Sequence, residues 1–177
     1  MICYSAPNYS SPDYVAMLLF QYLLGASDDS SQFVLATGGI AKAIETFGLK
    51  AYLLDDGGAW KFAYIPYIKN GVFSGYHTSK SDNIKETNLL LKSILEDFSE
   101  ILSDDEVIAA RNNLLSDMMM QESSQEVSQD MANQFIYIGR RVLRTEWAER
   151  TSQYAGADSL RVVARRYFQS KVIIFWL

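Results

Sequence analysis

The sequence predicts an α+β fold, a mostly antiparallel sheet with helices packed on one face. Three observations lead there. Residues 49–78 hold short runs rich in aromatic and β-branched residues, separated by polar breaks. From Ser81 onward the apolar spacing becomes helical, and hydroxyl-x-x-acid boxes open two of the helices. The chain then finishes in an unbroken apolar run from Val172 to Leu177.

Taken in order, Met1-Ile2-Cys3-Tyr4 reads as a strand entered abruptly. Ser11-Pro12-Asp13 starts a helix, with a hydroxyl cap, a proline in the first turn and an acid near the positive end of the dipole. That helix runs through Val15, Leu18, Leu19, Tyr22 and Leu23 to a glycine stop at Gly25. Ala26 to Gln32 is polar loop, and Gly38 to Phe47 is a short helix. Leu49 to Leu54, Ala59 to Ile68 and Val72 to Thr78 form an antiparallel meander. Its turns are Asp55-Asp56-Gly57-Gly58 and an Asn-Gly hairpin at Lys69-Asn70-Gly71. Ile84, Leu90, Leu91, Ile94, Leu95, Phe98 and Leu102 mark one long amphipathic helix. Capping boxes at Ser103-Asp104-Asp105-Glu106 and Ser123-Ser124-Gln125-Glu126 open the next two. The second of these carries Val127, Met131, Phe135 and Ile138 as its apolar face and ends at Gly139. Thr145 caps a short helix around Trp147, and Asp158 caps a last one through Leu160, Val163 and Tyr167.

A length of 177 residues suits one domain with a substantial core, spanning 1–177. Hydrophobic residues at 49% and aromatics at 13% argue for a packed globule. A net charge of -5 argues against a nucleic-acid binder, which needs clustered Lys and Arg to neutralise phosphates. A lone cysteine excludes an internal disulfide and a cysteine-based zinc cluster. No run approaches the roughly 20 apolar residues of a membrane-spanning helix. Both ends read as cut or split from something larger.

Few residues offer chemistry. His77 sits in a strand with no Cys, Asp or Glu at ligand spacing, which fits a surface or hydrogen-bonded histidine better than a metal ligand. Cys3 reads as a small buried hydrophobe. Asp55-Asp56-Gly57-Gly58 lacks the spaced oxygen ligands of a calcium loop, and Gly38-Gly39 lacks the rest of a phosphate-binding fingerprint. Arg140-Arg141 with Arg144, and Arg161 with Arg165-Arg166, are two basic clusters that read as solvated faces or inter-subunit ion-pair partners. Met118-Met119-Met120 reads as core filler or a soft interface.

Several segments resemble the C-terminal half of the insulinase-like zinc peptidases. Asp130-Met131-Ala132-Asn133-Gln134-Phe135-Ile136-Tyr137-Ile138-Gly139-Arg140-Arg141 is similar to "D-I-G-R-Q-x-x-x-Y-G-R-R". That segment belongs to the beta subunit of mitochondrial processing peptidase and the related core proteins of respiratory complex III. Ala110 to Leu115, Thr145-Glu146-Trp147 and Val162 to Phe168 continue the resemblance in register. Ser10 to Tyr14 matches the family's first helix opening, and Asn70 to Gly75 resembles its "D-x-G-L-W-G" hairpin. The stretch Leu49 to Tyr67 departs from the pattern.

The family's zinc motif, H-x-x-E-H with a distal glutamate, belongs to its N-terminal domain and is absent here. The resemblance therefore implies a single C-terminal domain, split or shortened from a two-domain subunit. It carries no catalytic, cofactor-binding or metal residues and no cofactor. The expected role is structural, within a core subunit of complex III (ubiquinol-cytochrome c reductase) on the matrix side of the mitochondrial inner membrane. Its expected partners are the N-terminal half of that subunit, a second core or processing-peptidase subunit and other complex III subunits. It would be peripheral to the membrane and bind no nucleic acid. The alternative is the substrate-closing half of an active split peptidase whose metal site lies on another chain.

Overall fold

In a computed structural model of the chain, residues 1–24, 60–77, 84–120 and 124–174 are described. They form an α+β fold of four antiparallel strands and seven helices. The strands are β1 (Ile2–Ala6), β2 (Trp60–Pro66), β3 (Gly71–His77) and β4 (Val172–Ile174), in the spatial order β2-β3-β1-β4. The helices are α1 (Tyr14–Leu23), α2 (Ile84–Glu96), α3 (Phe98–Ile101), α4 (Asp104–Met120), α5 (Ser124–Ile138), α6 (Arg144–Ser152) and α7 (Ala157–Phe168). The expected helix at 38–47, the run 49–54, its Asp-Asp-Gly-Gly turn and the Gly25 stop lie outside the described residues.

Strand side chains alternate between faces, so one face of the sheet carries Ile2, Tyr4, Ala6, Phe62, Tyr64 and Phe73, all buried under helices. Ser5, Ile65 and Ile173 point the other way and are exposed. Gly75 lies opposite Phe62, and a Cβ there would sit 2.7 Å from the Phe62 ring, so the strand needs a residue without a side chain. Phe168, at the end of α7, is the hub of the core. Its ring lies 5.1 to 5.9 Å from those of Tyr4, Phe20, Phe73 and Phe98. Helix α1 is buried on most sides because it runs between β2 and α4.

Of the expected meander the β2–β3 hairpin is present, its first run lies outside the described residues, and the sheet continues past β3 to strands from both ends of the chain. β2 and β3 do form a hairpin, but β3's other neighbour is β1, from the far N-terminus, and β4 closes on β1. The hairpin loop is Tyr67 to Asn70, with Tyr67 N–H donating to Asn70 O at 2.9 Å. Gly71 is not a turn residue: it pairs opposite Pro66, and a Cβ on it would lie 2.2 Å from Pro7 O. Close approach of another backbone, not turn geometry, demands this glycine. The long helix expected through Leu102 breaks at Asp97 into α2 and α3, which brings Phe98 edge-on to Phe20 at 5.5 Å.

The caps also differ from expectation. Ser11 Oγ accepts from Asp13 N–H at 3.2 Å, but the Asp13 side chain makes no cap bond. Instead Asp13 accepts from Arg166 Nη1 at 2.5 Å and the Tyr167 hydroxyl at 3.1 Å, tying the start of α1 to the end of α7. Half of the first capping box is present, since Ser103 N–H donates to Glu106 Oε2 at 3.2 Å. Helix α6 starts at Arg144 behind an extended Leu143, so Thr145 lies inside the first turn and does not cap it. Asp158 likewise lies inside α7. The orphan N–H of Ala157 is met by Asp104 Oδ1, 2.8 Å away, from the start of α4.

Candidate functional site

The segment that carries the family resemblance, residues 130–147, folds as one junction between α5 and α6. Gln134, only 3% exposed, donates from Nε2 to Asp130 Oδ2 at 2.7 Å and accepts from Val142 N–H at Oε1 at 2.7 Å. The Tyr9 ring lies beside Asp130, 4.5 Å from the ring of Tyr14. Burial raises the Asp130 carboxyl above the ordinary aspartate value, against the opposing pull of Gln134, Tyr9 and Arg141. Tyr9 is pushed up to about 12, chiefly by burial. Its ring stacks on Tyr137 at 5.2 Å and packs against Trp147 at 6.3 Å.

Gly139 ends α5 at φ +81°, a left-handed conformation that side chains other than glycine's adopt only under strain. Past it, Arg140 holds Glu146 through two bonds, Nη1 to Oε2 at 2.8 Å and Nη2 to Oε1 at 2.7 Å. Arg150 adds a third at 2.7 Å and lies 5.1 Å from the centre of the Trp147 ring. The Arg140 bonds first, and Arg150 with them, hold Glu146 down to about 2. A shallow depression lined by Ser10, Pro12, Arg150 and Gln153 lies beside this cluster.

The geometry is that of a latch: each polar group here serves another part of the chain. The second basic cluster does the same from the surface, where Arg165 and Arg166 are exposed as expected of a solvated face. Arg161 donates to Ser99 O at 3.1 Å and Leu102 O at 2.8 Å, Arg165 pairs with Glu100 at 2.7 Å, and Arg166 pairs with Asp13. Sequence reasoning missed these pairings because their partners lie 59 to 153 residues away.

His77 ends β3 opposite Trp60, and its side chain lies outside the described residues. Cys3 is half-buried, not buried, on the face of the sheet opposite the described helices, between Ser74 and Ile173. Burial pushes its thiol up, the opposite of a reactive cysteine. Met118 packs against the core, while the side chains of Met119 and Met120 lie outside the described residues. Gly38-Gly39 and Asp55-Asp56 also lie outside them. Among the described residues no three His, Cys, Asp or Glu side chains converge to hold a metal. One histidine cannot supply a two-histidine zinc motif, so the residues present do not fit that ion. No helix among the described residues is long and apolar enough to cross a membrane.

Fold and junction together define a helix-on-sheet domain held by buried polar bonds, and its known likenesses agree. No protein-family profile matches the chain. It is 23% identical over 184 residues to the probable mitochondrial-processing peptidase subunit beta of Arabidopsis thaliana, covering 97% of this chain and 31% of that protein. It is 26% identical over 163 residues to the mitochondrial-processing peptidase subunit alpha of Caenorhabditis elegans, covering 89% and 30%. The chain thus spans about a third of the length of these curated relatives. A chain of Complex III2 from Candida albicans superposes with a TM-score of 0.75 at 12% identity, over 97% of this chain and 40% of that one. An inactive peptidase domain from Bordetella parapertussis superposes at 0.65 with 19% identity, over 94% and 84%. The chain is a distant relative of both the alpha and the beta subunits of the mitochondrial processing peptidase, and it shares the fold of the complex III and peptidase-domain chains on which it superposes.

Proposed function

We infer that this chain is a non-catalytic, structural C-terminal half of a processing-peptidase-like core subunit of respiratory complex III. It would work on the matrix side of the mitochondrial inner membrane, peripheral to the bilayer. It would assemble there with the N-terminal half of its subunit, a second core subunit and other subunits of the complex. The observation that carries this reading is the junction at residues 130–147. The family's most recognisable segment is spent there on internal hydrogen bonds, in a chain whose single histidine cannot spell H-x-x-E-H. The superposition on a chain of Complex III2 supports the assembly.

The names of the two curated relatives favour a second reading, the closing half of an active split peptidase with its metal on another chain. One preparation separates the two. The tagged chain is purified with its companions, which are identified by mass spectrometry, and the complex is assayed for zinc and for presequence cleavage. The structural reading expects complex III subunits, no stoichiometric zinc and no cleavage. Zinc at one ion per complex together with cleavage would establish the enzyme instead.

A further inference from the structure

Helix α5 is attached to the domain more weakly than the helices that build the core. Among its described side chains only Gln134 is buried. By contrast, α1 buries seven residues and α7 five, all of them apolar or aromatic. The difference matters because a hydrogen bond made on folding replaces one to water and adds little net stability, whereas apolar burial has no such offset. What holds α5 is gathered towards its C-terminal end. Tyr137 stacks on Tyr9 at 5.2 Å, Ile138 packs part-buried against the core, and Ser10 Oγ donates to Tyr137 O at 3.1 Å. Gln134 accepts from Val142 N–H at 2.7 Å.

The two sides of Gly139 are held unequally. Beyond it, Arg140 is bonded twice to Glu146, and α6 buries Trp147 and Thr151. Gly139 itself, at φ +81°, has open space beside it, since a Cβ there would meet no described atom within 4 Å. Rotation of the backbone at this residue therefore meets little resistance. The Gln134–Val142 bond spans this point, tying α5 to the anchored side. The rings around Phe168 come from Tyr4, Phe20, Phe73 and Phe98, none of them in α5. Breaking the Gln134 bond and the Tyr137 stack thus frees α5 and leaves that core whole.

We propose that α5 is a hinged segment that undocks as a unit about Gly139, with Gln134 as its latch, while the sheet and the other helices stay folded. Undocking uncovers the Tyr9 ring and the Val142 amide. Native-state hydrogen exchange, read residue by residue on the full chain with whatever companions it purifies with, tests this. Amides 130–138 are expected to exchange faster than those of α1 and α7 and to share one smaller urea dependence, because a local opening exposes less surface than unfolding. Phe168→Leu weakens the core in both the docked and the undocked form, so it is expected to speed α1 and α7 and leave α5 unchanged. Gln134→Leu is expected to speed α5 by about 5- to 100-fold. Gly139→Ala, strained at positive φ while α5 is docked, is expected to speed it by about 5- to 30-fold. Wild-type α5 amides with the rate and urea dependence of α1 and α7 would overturn the hinge, since α5 would then open only with the whole fold. So would an equal response of all three helices to Phe168→Leu, or a gradient of rates along α5 such as end fraying gives. Unchanged α5 exchange in Gln134→Leu would overturn the latch.

Discussion

Replacing Gln134 with leucine tests whether buried polar bonds set the roll of α5. The glutamine side chain is both a donor to Asp130 and the acceptor for Val142 N–H, each at 2.7 Å, and it is nearly inaccessible to solvent. Leucine has similar bulk and neither function. The Val142 amide, on a buried residue, then loses its partner at a cost of about 1–3 kcal/mol. Asp130 is partly exposed, so water replaces much of its lost donor and adds little. A total of about 1–3 kcal/mol corresponds to a melting temperature lower by roughly 2–12 °C in a domain of this size. Circular dichroism melts of the wild type, Gln134→Leu and an exposed control, Gln129→Leu, measure it. A Gln134→Leu melt indistinguishable from the control would refute the latch.

Phe168→Ala, at the meeting point of four aromatic rings, is expected to cost about 3–5 kcal/mol in urea unfolding. Asp104→Ala removes the acceptor for Ala157 N–H and is expected to cost about 1 kcal/mol, as loss of a helix cap does; Asp105→Ala, beside it and exposed, is the neutral control. Asp130→Asn reads the pH linkage. Burial raises the Asp130 carboxyl, so its contribution is fully present below the ordinary aspartate value and is lost as pH rises through the folded-state value. The variant, which cannot ionise, should therefore gain on the wild type as pH rises through that window in melts from pH 3 upward. A constant difference would contradict the assignment.

Local signals made the secondary structure legible, and non-local pairing hid the rest. The switch from strand spacing to helical spacing placed β2, β3 and every helix after Ser81, because periodicity is a property of the segment itself. The Asn-Gly hairpin was found at the right place for the wrong reason, since Gly71 is needed where Pro7 of a distant strand end approaches. β1 between β3 and β4 could not be read at all, its partners being some 70 and 170 residues away. The cap at Asp158 failed likewise, because Asp104 from the start of α4 meets the Ala157 N–H in its place. At the junction the segment was recognised by resemblance, but its buried Gln134 bonds were not. Apolar periodicity put Val127, Met131, Phe135 and Ile138 on one core-facing side; Ile138 does pack on the core, while Phe135 is exposed on a helix whose roll the buried Gln134 shares in setting.

The exposure of Phe135 bears on how α5 is held. A helix that only completed its own core would gain by burying Phe135 and Ile136, each large side chain contributing about 1.5–3 kcal/mol when fully covered. Here that gain is set aside, and Asp130 is held partly buried above its ordinary titration range, an arrangement that is costly without its partners. The same helix packs Tyr137 and Ile138 against the core and closes the junction through Gln134. α5 therefore belongs to the core through the face that carries Gln134 and Ile138, and the buried glutamine bonds set the roll that leaves Phe135 and Ile136 outside it.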